Sequence, residues 1–171
     1  MQSQVLNNNS LDTIDLHKLD VTFNDKPIIV GGMAMEYYGI RKHGDDIDFI
    51  VSNCDYKKLE TRYRDCRKDM WGDFGVKVNE YELFRSMWKF DYQYFNNSSI
   101  EFERYKIISI DMLFRMKVFA MDAEEKHKKD VELLKEYFMQ HQVKEYVDFM
   151  EKNIERYLKS DKGLIINGDY Y

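Results

Sequence analysis

The sequence predicts an α+β fold, a mixed β-sheet flanked by helices over residues 1–108 and a helical region over 109–171. Three observations predict it. Two short apolar runs, "KPIIV" (26–30) and "DIDFIV" (46–51), flank a brief helical pattern. Residues 74–108 are rich in β-favouring side chains, in "FGVKV", "SMWKFDYQYF" and "SIEFERYKII". From Ser109 onward apolar residues recur at helical spacing, in segments near 110–121, 124–139 and 142–158.

Taken in order, residues 1–9 are polar, and "SLDTIDLHKL" (10–19) predicts a short helix capped by Ser10. Pro27 opens the first strand, where a missing N–H does least harm. "MAMEYYG" predicts a short helix ended by Gly39, and 46–51 a second strand. Over 55–70, Tyr56, Leu59, Tyr63, Cys66 and Met70 fall on one face of a helix, with Lys57, Lys58, Arg62, Arg64, Arg67 and Lys68 opposite. "NNSS" (96–99) is a turn, and "GLIINGDYY" a tail.

Composition narrows the function. With 44% hydrophobic and 15% aromatic residues the chain can bury a core. A formal net charge of -5 argues against a general nucleic-acid coat, though not against a local basic groove. No apolar run approaches the ~18 residues of a membrane span, which predicts no membrane partner. The N-terminus lacks a basic segment followed by an apolar one, and Cys54 and Cys66 are too few for a disulfide framework. The expected setting is the cytoplasm, with both thiols reduced.

The chemistry concentrates in "IIVGGMAMEYYGIRKHGDDIDFIV" (28–51). Side chains alternate along a strand, so Asp46 and Asp48 project the same way, their Cα atoms about 6.7 Å apart. Two such carboxylates can converge on a hard cation, and Mg²⁺ is held by one or two carboxylates plus substrate phosphates. Gly31 and Gly32, at a strand-to-helix turn, let backbone approach a phosphate closely.

Glycine pair, short helix and D-x-D strand in this order resemble the signature of the nucleotidyltransferase superfamily with the polymerase-beta-like core, G-[GS] followed by hDhD. "GIRKHGDDIDF" is similar to its G-x-x-R-x-T-x-D-I-D lead-in, with Lys42 at the basic position, Gly44 where threonine is common and Gly32 where serine is common. The resemblance implies a nucleotidyltransferase-like mixed sheet and a third carboxylate from a neighbouring strand. In "SSIEFERY", Glu101 and Glu103 share a face, and "IEF" favours Glu101 as that ligand. Further on, Lys117 falls on the apolar face of its helix and Asp130 on a stripe with Leu133, Leu134 and Tyr137. A buried ion pair joining two helices would explain both. "DMLFRMKVFA…KHKKDVELL" also resembles motifs of abortive-infection (AbiE-type) and type IV toxin nucleotidyltransferases, which implies that Lys117 and Asp130 belong to the active site.

The implied activity is metal-dependent transfer of a nucleoside monophosphate from a nucleoside triphosphate to a hydroxyl. Asp46, Asp48 and Glu101 would hold Mg²⁺ (or Mn²⁺), while Gly31, Gly32 and Lys42 would hold the nucleotide. The acceptor stays open among RNA, reached through the basic face of 55–70, a protein and a small molecule. A toxin–antitoxin role would add a cognate antitoxin. The alternatives are a catalytically degenerate module that binds a nucleotide or protein partner, and an unrelated α+β protein.

Overall fold

The computed structural model describes residues 8–70, 72–88 and 90–141, with Lys152 and Glu155. The helix expected near 142–158 and the final tail lie outside the described residues, apart from those two positions. The fold is α+β, as the sequence predicts. Nine strands are described: β1 (Ile28–Ile29), β2 (Ile47–Ile50), β3 (Arg67–Met70), β4 (Asp73–Val78), β5 (Tyr81–Phe84), β6 (Ser86–Met87), β7 (Phe90–Asp91), β8 (Ile100–Glu101) and β9 (Lys106–Ile107). Seven form one mixed sheet in the order β3-β4-β5-β2-β1-β9-β8, and β6 and β7 form a separate hairpin. The helices are α1 (Gly31–Tyr37), α2 (Asn53–Arg62), α3 (Tyr92–Asn96), α4 (Ile110–Ala120) and α5 (Glu125–Gln140). No described helix is long and apolar enough to cross a membrane.

The sheet is polar on part of one face and apolar on the other. β2 runs parallel to β5, with Ile47 opposite Tyr81, Asp48 opposite Glu82 and Phe49 opposite Leu83. Because side chains alternate, Ile47, Phe49, Tyr81 and Leu83 share the apolar face, all of them buried. Phe49 meets Tyr81 edge-on at 5.8 Å, and the Tyr81 hydroxyl accepts a bond from the Asp15 N–H at 3.0 Å. That bond fastens the N-terminal segment to the sheet. Asp48, Glu82 and Phe84 share the other face.

Local structure departs from the sequence expectations at several elements. Residues 10–19 form parts of two 3-10 turns, Asn8–Thr13 and Leu16–Leu19, rather than one helix. Asp15 caps the second turn by accepting from the His17 N–H, while the Ser10 hydroxyl donates to Glu36 instead of capping. The helix expected over 55–70 stops at Arg62. Only Tyr56 and Leu59 of its stripe are buried, so beyond Tyr63 no core contact holds a helical path, and Cys66 is exposed. Residues 67–70 instead pair with β4 as an edge strand. Four of the basic side chains of 55–70 are in ion pairs: Lys58 binds Asp55, Arg62 binds Asp20, Arg67 binds Glu60 and Lys68 binds Glu82. Part of the expected strand "SMWKFDYQYF" is the helix α3, because Asp91 caps it by accepting from the Tyr94 N–H.

Gly75 on β4 gives the polar face room. A Cβ there would sit 2.6 Å from the Phe84 ring and 3.2 Å from the Leu83 carbonyl oxygen. Phe84 is 1% exposed and cannot swing away. Gly75→Ala should therefore cost about 1–3 kcal/mol through overpacking. Thermal melts should show the midpoint several degrees lower, at roughly 2–4 °C per kcal/mol for a chain of this size.

Candidate functional site

The turn between β1 and α1 brings the site together. Gly31 has φ +61, a left-handed conformation that a side chain disfavours. A Cβ at Gly31 would stand 2.3 Å from Asp48 Oδ2, so the carboxylate fills the space that any other residue would need. The Val30 N–H donates to the Asp48 carbonyl at 3.0 Å and fixes the turn against β2. Asp48 thus lies on a central strand beside Gly31, as the two-residue period of "DIDF" predicts. Asp46 immediately precedes β2 and is half-exposed.

Glu82 completes a carboxylate row. Across β2, β5 and β4 the register sets Asp48 beside Glu82 and Glu82 beside Lys77. Glu82 is 5% exposed. Lys77 Nζ donates to Glu82 Oε1 at 2.9 Å and reaches past it to Asp46 Oδ1 at 2.7 Å. Lys68 Nζ holds Glu82 Oε2 at 2.6 Å. Burial, then the negative charge of Glu82, pushes the Asp48 carboxyl up to about 6, against the pull of Lys117.

A second charged group faces the row. Lys117 on α4 and Asp130 on α5 are both buried and pair at 2.7 Å. Arg41 grips the same carboxylate through Nε at 2.5 Å and Nη2 at 2.8 Å. Burial lowers the Lys117 ammonium, and the Asp130 charge opposes this. Burial works to raise Asp130, yet its bonds to Arg41 and Lys117 hold it below the usual carboxylate range. His127 lies 3.3 Å from Lys117 Nζ. Burial and the Lys117 charge push it down to about 4, so at neutral pH it is uncharged and its Nδ1 can accept.

These groups line one cleft of about 600 Å³, with Gly31, Gly32, Arg41, Asp46, Asp48, Glu82, Lys117 and Asp130 in its wall. Two expected site residues are elsewhere. Glu101 lies on the edge strand β8, three strands from β2, and its register partners Lys106 and Ile28 align with Ile50 rather than Asp48. It is exposed and pairs with Lys26 at 2.6 Å and Lys106 at 3.8 Å. Glu82, also flanked by apolar residues in "YELF", takes the place expected for Glu101. Lys42 is 86% exposed and binds Glu36 at 3.1 Å, while its neighbour Arg41 reaches the cleft. Glu36 anchors this loop by accepting from Ser10, the His43 N–H and Lys42.

Asp46, Asp48 and Glu82 are hard oxygen donors, and the Lys77 ammonium already bridges Asp46, just before β2, and Glu82 on β5, so the donor chemistry suits Mg²⁺ or Mn²⁺. Among the described residues no three or more His, Cys, Asp or Glu side chains are grouped so that they could hold a metal ion together. A cation sharing its shell with phosphates needs only one or two carboxylates. Comparison with known proteins finds no matching family model, curated protein or solved structure.

Two outcomes follow from the charges. The folded protein keeps the Asp48 proton up to about pH 6, whereas an unfolded chain releases it near pH 4. Native-state stability attributable to this group is thus complete in acid and lost as pH rises through that window. Asp48→Asn should melt above the wild type beyond pH 6, with the difference closing towards pH 4; melting curves across that range measure it. The buried pair should respond unequally. Asp130→Leu strands the Lys117 ammonium and should cost about 3–5 kcal/mol. Lys117→Met leaves Asp130 gripped by Arg41 and should cost about 1–3 kcal/mol in a denaturant titration.

Proposed function

We propose that this protein is a metal-dependent nucleotidyltransferase, moving a nucleoside monophosphate from a nucleoside triphosphate to a hydroxyl acceptor. The observation that carries the reading is Asp48 packed onto the Gly31–Gly32 turn with Glu82 at the adjacent register position, in a cleft that also holds buried Lys117. A glycine turn admits phosphate oxygens to backbone distance, and the carboxylate row stands beside it. Asp48, with Asp46 or Glu82 beside it, would hold Mg²⁺ (or Mn²⁺) that shares its shell with the phosphates. Bound there, the cation supplies charge neutralisation at the phosphates.

The chain's own groups position the rest. Lys117 neutralises phosphate charge from the opposite wall, and Arg41 holds Asp130 so that Lys117 stays oriented. The acceptor oxygen forms a bond to the α-phosphorus as the bond to the bridging oxygen breaks. Pyrophosphate leaves, and the carboxylate cluster takes up the hydroxyl proton. Catalysis of this kind is positioning and electrostatics. The acceptor is a hydroxyl of RNA, of a protein or of a small molecule, and a toxin role would carry a cognate antitoxin. The second reading, a non-catalytic module on the same fold, is favoured by one observation. Lys68 and Lys77 already neutralise Glu82 and Asp46 within the protein.

Labelling with each α-³²P nucleoside triphosphate and Mg²⁺, against RNA and protein acceptors, tests the proposal. Transfer should fall at least a hundredfold in Asp48→Asn and Glu82→Gln, on the scale of losing a key electrostatic group. Glu101→Gln should retain wild-type transfer. Label incorporation undiminished in Glu82→Gln would remove that residue from the site. Calorimetric binding of Mg²⁺ and nucleotide without any transfer would favour the binding module.

A further inference from the structure

We infer that His127 is a positioning residue for Lys117: its Nδ1 takes one N–H of the ammonium and so fixes which N–H is left for a substrate phosphate. This rests on the nucleotidyltransferase reading above. Lys117 stands in the last turn of α4, where the negative end of the helix favours a cation. Its Nζ donates to Asp130 Oδ2 at 2.7 Å and lies 3.3 Å from His127 Nδ1. Both partners come from α5, three residues apart on one face of that helix.

Two protein acceptors leave the ammonium one open direction. Its nitrogen has a carbon and three N–H bonds, arranged tetrahedrally, and no acceptor capacity. In Lys117 the carbon, Asp130 and His127 take up three of these directions, so the fourth is determined. Among the described residues no other acceptor takes the last N–H, and Lys117 lines the cleft that holds Asp48. The lysine side chain is 4% exposed, so water has little access to replace the imidazole as acceptor. Without His127 the ammonium is tied at Asp130 alone, and the donor meant for a phosphate can turn away.

The contact also fixes the imidazole. A lysine ammonium can only donate, so Nδ1 carries the lone pair and the ring proton sits on Nε2. The surroundings keep the ring in that form. His127 is the third residue of α5, where the positive end of the helix disfavours a second proton. Burial is the largest cause that brings the ring down to about 4; Lys117 and Lys126 act in the same sense, against Glu124 and Asp130. A doubly protonated ring would offer Lys117 no acceptor and would repel it. A histidine that only filled space would need no particular nitrogen towards the lysine.

Imidazole ¹⁵N NMR of the whole chain tests the contact, and kinetics tests its consequence. The His127 ring, assigned by its loss in His127→Asn, should carry a proton on Nε2 and none on Nδ1 at neutral pH. Lys117→Met, which removes the donor, should let the Nδ1–H form appear. In transfer assays His127→Leu should lower kcat by about tenfold to a hundredfold, the scale of a small misplacement at a reacting centre, with KM for the nucleotide within about threefold. His127→Asn carries an amide oxygen where Nδ1 stands and should recover most of that loss. If His127→Leu melts too low to assay, His127→Phe, a ring without nitrogen, should show the same fall. A wild-type ring protonated on Nδ1, an undiminished kcat in His127→Leu, or an asparagine variant no better than leucine each overturns the inference and leaves the nucleotidyltransferase reading standing. A wild type without transfer activity overturns both.

Discussion

The contact between Gly31 and Asp48 is the constraint on which the rest of the site depends. It joins a left-handed turn to the carboxylate of a central strand, at a separation that leaves no room for a Cβ. Everything else is referred to that point. Glu82 is placed by pairing with β2, Lys77 by pairing with β5, and Lys117 by the docking of α4. Two demands therefore meet at position 31, one on the backbone and one on volume. Relieving only one does not free the position.

Around this contact the cleft is nearly self-neutralising. Asp46, Asp48, Glu82 and Asp130 are faced by Arg41, Lys68, Lys77 and Lys117. The pairs differ in depth, and that decides how they respond to a ligand. Lys77 is half-exposed, so its bonds to Asp46 and Glu82 are screened and easily exchanged. The Lys117–Asp130–Arg41 cluster is mostly buried, and opening it would uncover desolvated charge. A polyanion entering the cleft would therefore exchange partners first with the outer lysines, against the inner cluster as a fixed wall.

Much of the core of this site was legible because its signals are local. The two-residue period of "DIDF" sets Asp48, and charges on otherwise apolar helical stripes mark Lys117 and Asp130. The pair is a buried ion pair, as one reading of it expects, and it also lines the cleft. The third carboxylate was not legible. "IEF" and "ELF" carry the same apolar–acidic–apolar pattern, and only the sheet order, a non-local property, puts Glu82 rather than Glu101 next to Asp48. Arg41 and Lys42 are adjacent in a loop, where no periodicity assigns a direction. Over 55–70 Cys66 and Met70 keep helical step, but the burial that would sustain a helix ends earlier, and the helix stops at Arg62.

The boundary expected at residue 108 separates sequence patterns but not the site. Lys117 and Asp130 lie beyond it, yet they form a wall of the same cleft as Asp48 and Glu82. During synthesis the glycine turn and all three carboxylates of the row emerge first. The wall that faces them exists only after α5 has been made and packed on α4. A chain still short of α4 and α5 therefore carries Asp46, Asp48 and Glu82 with Lys68 and Lys77, but not the wall that holds Lys117 and Asp130. The cleft as a whole is thus assembled only once synthesis has passed residue 130.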